Sequence, residues 1–152
     1  MVVVEIPGRE SLALEHAVFD LNGTLALDGR LIPGVEELFA AVARRLRCVI
    51  LTGDTFGTGA SLARTLDCPL EIVATGADKE RIVGGLEGQA VAVGNGENDV
   101  AMLARAALGM AVLGPEGTSA RALMAADLVV PDILCGLRLL LSPARLTATL
   151  RP

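Results

Sequence analysis

Aromatic side chains are nearly missing from this chain. Its 152 residues include no Trp, no Tyr and three Phe, so a core must be assembled from Val, Leu, Ile and Ala. Positive charge is also short. The formal net charge is −5, which argues against general nucleic-acid binding, a function that calls for a basic face. A phosphate ligand is still compatible with this balance, because one local cation and a few backbone amides outweigh the global sign. Cysteine is sparse. Cys48, Cys68 and Cys135 lie far apart without CxxC or ligand-like spacing, and reduced thiols of a cytosolic protein are expected. The single histidine, His16, reads as a strand or turn residue rather than a general base. No run reaches the roughly 18 apolar residues of a membrane span, and the N-terminus shows neither the basic segment nor the long apolar stretch of a signal peptide. A soluble cytoplasmic protein that does not bind membranes is the expectation.

At this length one domain is expected over residues 1–152, enough for one continuous core. Residues 1–14 read as an N-terminal strand or hairpin extension, 15–141 as the core, and 142–152 as a short tail containing Pro143. Apolar runs over 17–21, 48–52, 71–74, 90–93, 108–112 and 128–130 read as strands. Segments of helical period lie between them, over 35–46, 58–66, 78–86, 98–107, 118–125 and 132–141, with Asp78 as the expected N-cap of the third. Unbroken aliphatic strands separated by helices predict an α/β fold: a Rossmann-like three-layer α/β/α sandwich with a mainly parallel sheet. Ligands of such sheets bind at the carboxyl ends of the strands. The polar clusters Asp20–Thr24, Thr52–Asp54 and Asn95–Asp99 all follow strands.

Those clusters and one lysine form the candidate site. Asp20, where a buried strand opens into a Gly-Thr turn, suits attack on phosphorus and the holding of a hard cation. Gly23, followed by Thr24, lets backbone N–H groups approach an anion. Thr52 offers a hydroxyl and Gly53 an unobstructed N–H for a phosphoryl oxygen, and Lys79 a charge to neutralise it. Asn95 and Asp99 add oxygen ligands for Mg²⁺. Taken singly, each has a plainer explanation as a turn, a helix cap or a solvated surface charge. Gly94-Asn95-Gly96 lacks the third glycine of a dinucleotide loop, which argues against a nicotinamide cofactor. It is the order and placement of all four together that point to chemistry.

Asp20-Leu21-Asn22-Gly23-Thr24, Leu51-Thr52-Gly53-Asp54, Lys79 and Gly94-Asn95-Gly96-Glu97-Asn98-Asp99 resemble the four ordered motifs of the haloacid dehalogenase (HAD) superfamily. Within it the chain is similar to the phosphorylation domain of P-type ATPases, in its Thr-Gly-Asp triplet, its Gly-x-Gly-x-Asn-Asp run, and the later Gly109-Met110-Ala111, Gly117-Thr118 and Ala126-Asp127-Leu128-Val129. The likeness covers roughly residues 15–132. It implies a HAD-like fold, a Mg²⁺ cofactor held by Asp20, Asn22, Asn95 and Asp99, and an aspartyl phosphate on Asp20. Without membrane helices, the chain resembles a soluble stand-alone relative. Residues 25–51 and 55–78 are too short to hold a cap domain, so an open site is expected unless a second subunit covers it, and a homo-oligomer would fit the mean hydropathy of +0.55.

Two departures bear on function. Most phosphatases of the superfamily have an acid–base Asp where this chain has Asn22, so a slow enzyme favouring activated phosphates is expected. Asn95 stands where a metal-binding Asp is usual, which predicts weak or substrate-assisted Mg²⁺ binding. The leading expectation is a Mg²⁺-dependent phosphohydrolase using Asp20, Asn22, Thr52 and Lys79 on a small phosphorylated molecule or a phosphoprotein. The alternative is a catalytically impaired pseudoenzyme that binds phosphate or a partner protein.

Overall fold

The computed structural model describes all 152 residues. Nine strands are formed: β1 (Val2–Val4), β2 (Leu12–Phe19), β3 (Ala26–Leu27), β4 (Arg30–Leu31), β5 (Arg47–Thr52), β6 (Leu70–Ile72), β7 (Gln89–Gly94), β8 (Leu108–Val112) and β9 (Leu128–Val130). Seven helices accompany them: α1 (Val35–Ala43), α2 (Gly59–Thr65), α3 (Gly76–Gly84), α4 (Val100–Arg105), α5 (Ala120–Ala125), α6 (Ile133–Leu140) and α7 (Pro143–Leu150). The main sheet runs β6-β5-β2-β7-β8-β9, and every pairing along that path is parallel. Only β1 is antiparallel, against Leu12–Leu14. The expected mainly parallel α/β/α sandwich is the fold observed.

Alternation along the central strands divides the interior in two. Ala17, Phe19, Val91 and Val93 join the core beneath α1 and α6, where the Phe19 and Phe39 rings tilt together with centroids 5.2 Å apart. Val18, Ala90 and Ala92 turn the other way, onto Val83, Met102, Leu103 and Ala122 of α3, α4 and α5. Both faces of β2 and β7 are therefore dry, which is why these strands read as aliphatic runs without polar alternation. No helix is long and apolar enough to cross a membrane.

Several elements differ from expectation. β2 is one strand through Glu15 and His16, which are only half-buried. Residues 142–152 are mostly helix: Pro143 opens α7 at its first turn, where a missing N–H costs nothing, and Leu146 is fully buried. The N-cap of α3 is Thr75, with Asp78 three residues on completing a reciprocal capping box. Helix 98–107 divides into a 3₁₀ turn over Glu97–Asp99 and α4. The β3–β4 hairpin has no counterpart in the sequence reading. Its two-residue turn, Asp28-Gly29, has both φ angles positive, at 50° and 75°, as a tight hairpin turn requires.

Candidate active site

The carboxyl ends of β2, β5 and β7 bring three of the clusters together, and α3 delivers the fourth from one side of the sheet. Asp20 continues the ladder beyond β2, its N–H donating to the Val93 carbonyl at 2.9 Å. Lys79 lies in the first turn of α3 with 1% of its surface exposed, and its ammonium donates to Asp20 Oδ1 at 2.6 Å and Asp99 Oδ1 at 2.7 Å. The second oxygen of Asp99 accepts the N–H groups of Asn95 and Gly96, both at 2.9 Å. Asp99 is thus engaged on both oxygens and wholly buried, which makes it chiefly the partner of Lys79.

The other oxygen of Asp20 faces elsewhere. Its side-chain partner is the Thr24 hydroxyl at a long 3.4 Å, and that hydroxyl also reaches Asn95 Oδ1 at 3.1 Å. The Asn95 amide is oriented by its nitrogen, which donates to the Gly117 carbonyl at 2.9 Å, so its oxygen points toward Asp20. Asp20 Oδ2 and Asn95 Oδ1 form a pair of hard oxygen donors beside a carboxylate that carries no second cation, a chemistry that fits Mg²⁺. Asn22 sits at the rim of the same turn, and its side-chain oxygen is buried without a hydrogen-bond partner. Gly23 holds φ at 81° and passes so close to Asn95 that a Cβ would stand 2.6 Å from its amide nitrogen.

Thr52 is buried at the end of β5, where its hydroxyl oxygen accepts the Asp54 N–H at 3.0 Å and keeps its own proton free to donate. Gly53 beside it is exposed. An apolar cleft of ≈ 360 Å³ adjoins the site beneath the hairpin, reaching from Thr24 past Leu27, Leu31 and Ile32 to Val112 and Ile133. The widest groove, ≈ 680 Å³ between the β1 segment and α7, contains no site residue.

The electrostatics follow from burial. Desolvation, and then the nearby charge of Asp99, push the Asp20 carboxyl up to about 6 against the pull of Lys79. Burial draws the Lys79 ammonium down, yet the charges of Asp20 and Asp99 outweigh it and hold the group above its ordinary value. A carboxyl raised in the fold lowers stability above its folded pKa, and that penalty fades as pH falls toward its unfolded value. For Asp20 the full penalty is roughly 3 kcal/mol. Asp20→Asn is therefore expected to raise the thermal midpoint of the metal-free protein near pH 8 and leave it unchanged near pH 4. Unfolding curves across that range check this; a gain independent of pH would place its origin elsewhere.

Solved structures with a similar fold supply the context. A HAD-family hydrolase from Streptomyces avermitilis, described as putative, superposes with a TM-score of 0.68 at 21% identity, covering 86% of this chain and 84% of that one. A zinc-transporting PIB-type ATPase superposes at 0.66 with 29% identity, over 78% of this chain but 20% of the pump. No inserted domain interrupts residues 25–51 or 55–78. This is the HAD fold, without a cap. A third structure with the HAD fold, the 3-deoxy-D-manno-octulosonate 8-phosphate phosphatase of Moraxella catarrhalis, was solved with magnesium, phosphate and the sugar acid; it superposes at 0.67 with 18% identity over 89% of this chain and 90% of that one. An uncharacterized protein of Methanocaldococcus jannaschii is 46% identical over 61 residues, 40% of this chain and 66% of its own length. No protein-family model matches the chain.

The geometry brings together Asp20, Thr24, Lys79, Asn95 and Asp99 by direct contact. It leaves Thr52 and Gly53 nearby on the neighbouring strand and Asn22 at the rim. Sequence reasoning did not use one available signal: Lys79 is the only lysine in the chain, all twelve other cations being arginine. Arginine's fixed fork would not fit between two buried carboxylates as a compact ammonium does.

Proposed function

We propose that this chain is a Mg²⁺-dependent phosphohydrolase working through an aspartyl phosphate on Asp20, with a small phosphorylated molecule or a phosphoprotein as substrate. The observation that supports it most is the division of labour around Asp20. One oxygen lies against Lys79, and the other faces the Thr24 hydroxyl and Asn95 oxygen. Asp20 Oδ2 and Asn95 Oδ1, with the Asn22 backbone carbonyl, would hold Mg²⁺, which would supply positive charge to offset the phosphoryl oxygens. Asp20 Oδ1 attacks phosphorus beside Lys79, whose ammonium meets the transferring group. The Thr52 hydroxyl donates to a phosphoryl oxygen, and the bond to the leaving oxygen breaks with its electron pair. Water then cleaves the acyl phosphate to return the carboxylate and release phosphate.

Asn22 cannot protonate the leaving oxygen or activate that water. Activated phosphates are accordingly the preferred substrates, and the phosphoenzyme is long-lived. Acid-quenched protein that has met acetyl phosphate and Mg²⁺ is expected to carry phosphate labile to hydroxylamine, as an acyl phosphate is. Asn22→Asp should shorten that intermediate's life at least about a hundredfold, within the range of general acid–base catalysis, as rapid-quench measurement would show. The same amide favours a second reading, a pseudoenzyme that binds phosphate without turnover. Absence of labelled protein in both forms would put that reading first.

A further inference from the structure

The loop that follows β8 is tied to Asn95 twice. The Asn95 side-chain amide donates to the Gly117 carbonyl at 2.9 Å, and the Ser119 N–H donates to the Asn95 carbonyl at 2.8 Å. Two further bonds fix its course, from the Gly117 N–H to the Gly114 carbonyl at 3.0 Å and from the Thr118 hydroxyl to the Val112 carbonyl at 2.7 Å. So held, the loop lays Glu116 against the Asp20 turn. Glu116 Oε2 stands 2.6 Å from the point a Cβ on Gly23 would occupy, and Asn95 Nδ2 and Oδ1 stand 2.6 and 3.0 Å from that same point. The neighbouring acid, Glu97, is already engaged, accepting the Ser119 hydroxyl and pairing with Arg121. Glu116 takes part in none of the ion pairs and in no side-chain hydrogen bond.

We propose that Glu116 supplies the negative charge missing at position 95, serving the same divalent cation as Asp20, and that Asn95 is the residue that keeps it there. This rests on the phosphohydrolase reading and names a further residue of its cation site. An aspartate at 95 has no N–H to donate to Gly117, and its charge would repel Glu116. An amide at 95 does the opposite on both counts: it bonds the loop and tolerates the incoming carboxylate. The charge has moved from the end of β7 to the loop beyond β8. Asp20 and Asp99 share the one charge of Lys79, so Glu116 beside Gly23 brings the neighbourhood of the turn to an excess of two negative charges, which a divalent cation would neutralise. The weak Mg²⁺ binding expected from Asn95 alone takes no account of this carboxylate.

Calorimetric titration of Mg²⁺ into metal-free protein tests the assignment without reference to turnover. The set comprises the unaltered chain, Asp20→Asn, Glu116→Gln and, as a remote exposed control, Glu36→Gln. Glu116→Gln is expected to raise the Kd for Mg²⁺ roughly tenfold or more while leaving the metal-free thermal midpoint in place. Glu36→Gln should leave the Kd within about twofold, which separates a local role from general charge. A Kd unchanged in Glu116→Gln, with binding lost in Asp20→Asn, would overturn the role of Glu116 and leave the phosphohydrolase reading standing. No Mg²⁺ binding by the unaltered chain, with or without inorganic phosphate present, would overturn both.

Discussion

Asp20→Asn is expected to lower Mg²⁺-dependent phosphate release from acetyl phosphate and p-nitrophenyl phosphate by at least about a thousandfold, the scale seen when a covalent nucleophile is removed. The substitution is close to isosteric, so Lys79 keeps an oxygen acceptor in the same place and Thr24 keeps its neighbour. What is lost is the attacking carboxylate and one charge at the cation site. Because burial already disfavours the ionised form of Asp20, the variant should be no less stable than the parent near neutral pH. Inactivity therefore could not be put down to unfolding. Release that stays within tenfold of the parent would remove Asp20 from the nucleophile's role.

The second large effect concerns Lys79. Replacing it with Met fills much the same volume and leaves two buried carboxylates with no ammonium between them. Removal of one partner from a buried ionic group typically costs 3–5 kcal/mol, and a loss of about that size is expected for Lys79→Met in urea unfolding at neutral pH. Asp99 keeps two backbone N–H donors after the change, at 2.9 Å each, whereas the one side-chain donor left to Asp20 is Thr24 at a long 3.4 Å. Most of the loss should therefore lie with Asp20, and adding Asp20→Asn to Lys79→Met should recover a large part of it. A double variant no more stable than the single one would show that the loss comes from packing of the lysine stem.

The parallel sheet was legible because its central strands are buried on both faces, and Ala17–Phe19 and Ala90–Val93 carry that condition as unbroken apolar runs. The four polar clusters were legible because each stands at a strand end, where such sheets place ligands. Other features depended on relations that a linear reading does not contain. The strands of the β3–β4 hairpin are two residues long, too short for any alternation, so only Asp28-Gly29 could have signalled it. Pro143 reads as readily as the start of a tail as it does as the first turn of a helix, where proline is equally at home. Thr75 and Asp78 look equally suited to cap α3, and the geometry of the turn decides between them. The bridge from Lys79 to both Asp20 and Asp99 is set by how α3 docks beside β2 and β7. Glu116 belongs to the same class. It lies far from the Asp20 turn in sequence, and only the folded loop brings it to Gly23.

A chain with one lysine, and that one sealed between two acids, has an unusual reactivity toward amine-directed reagents. Acylating or cross-linking agents that normally coat a protein surface would meet no accessible side-chain amine here. Any slow modification of Lys79 would serve as a clock for how often the interior of the site opens to water.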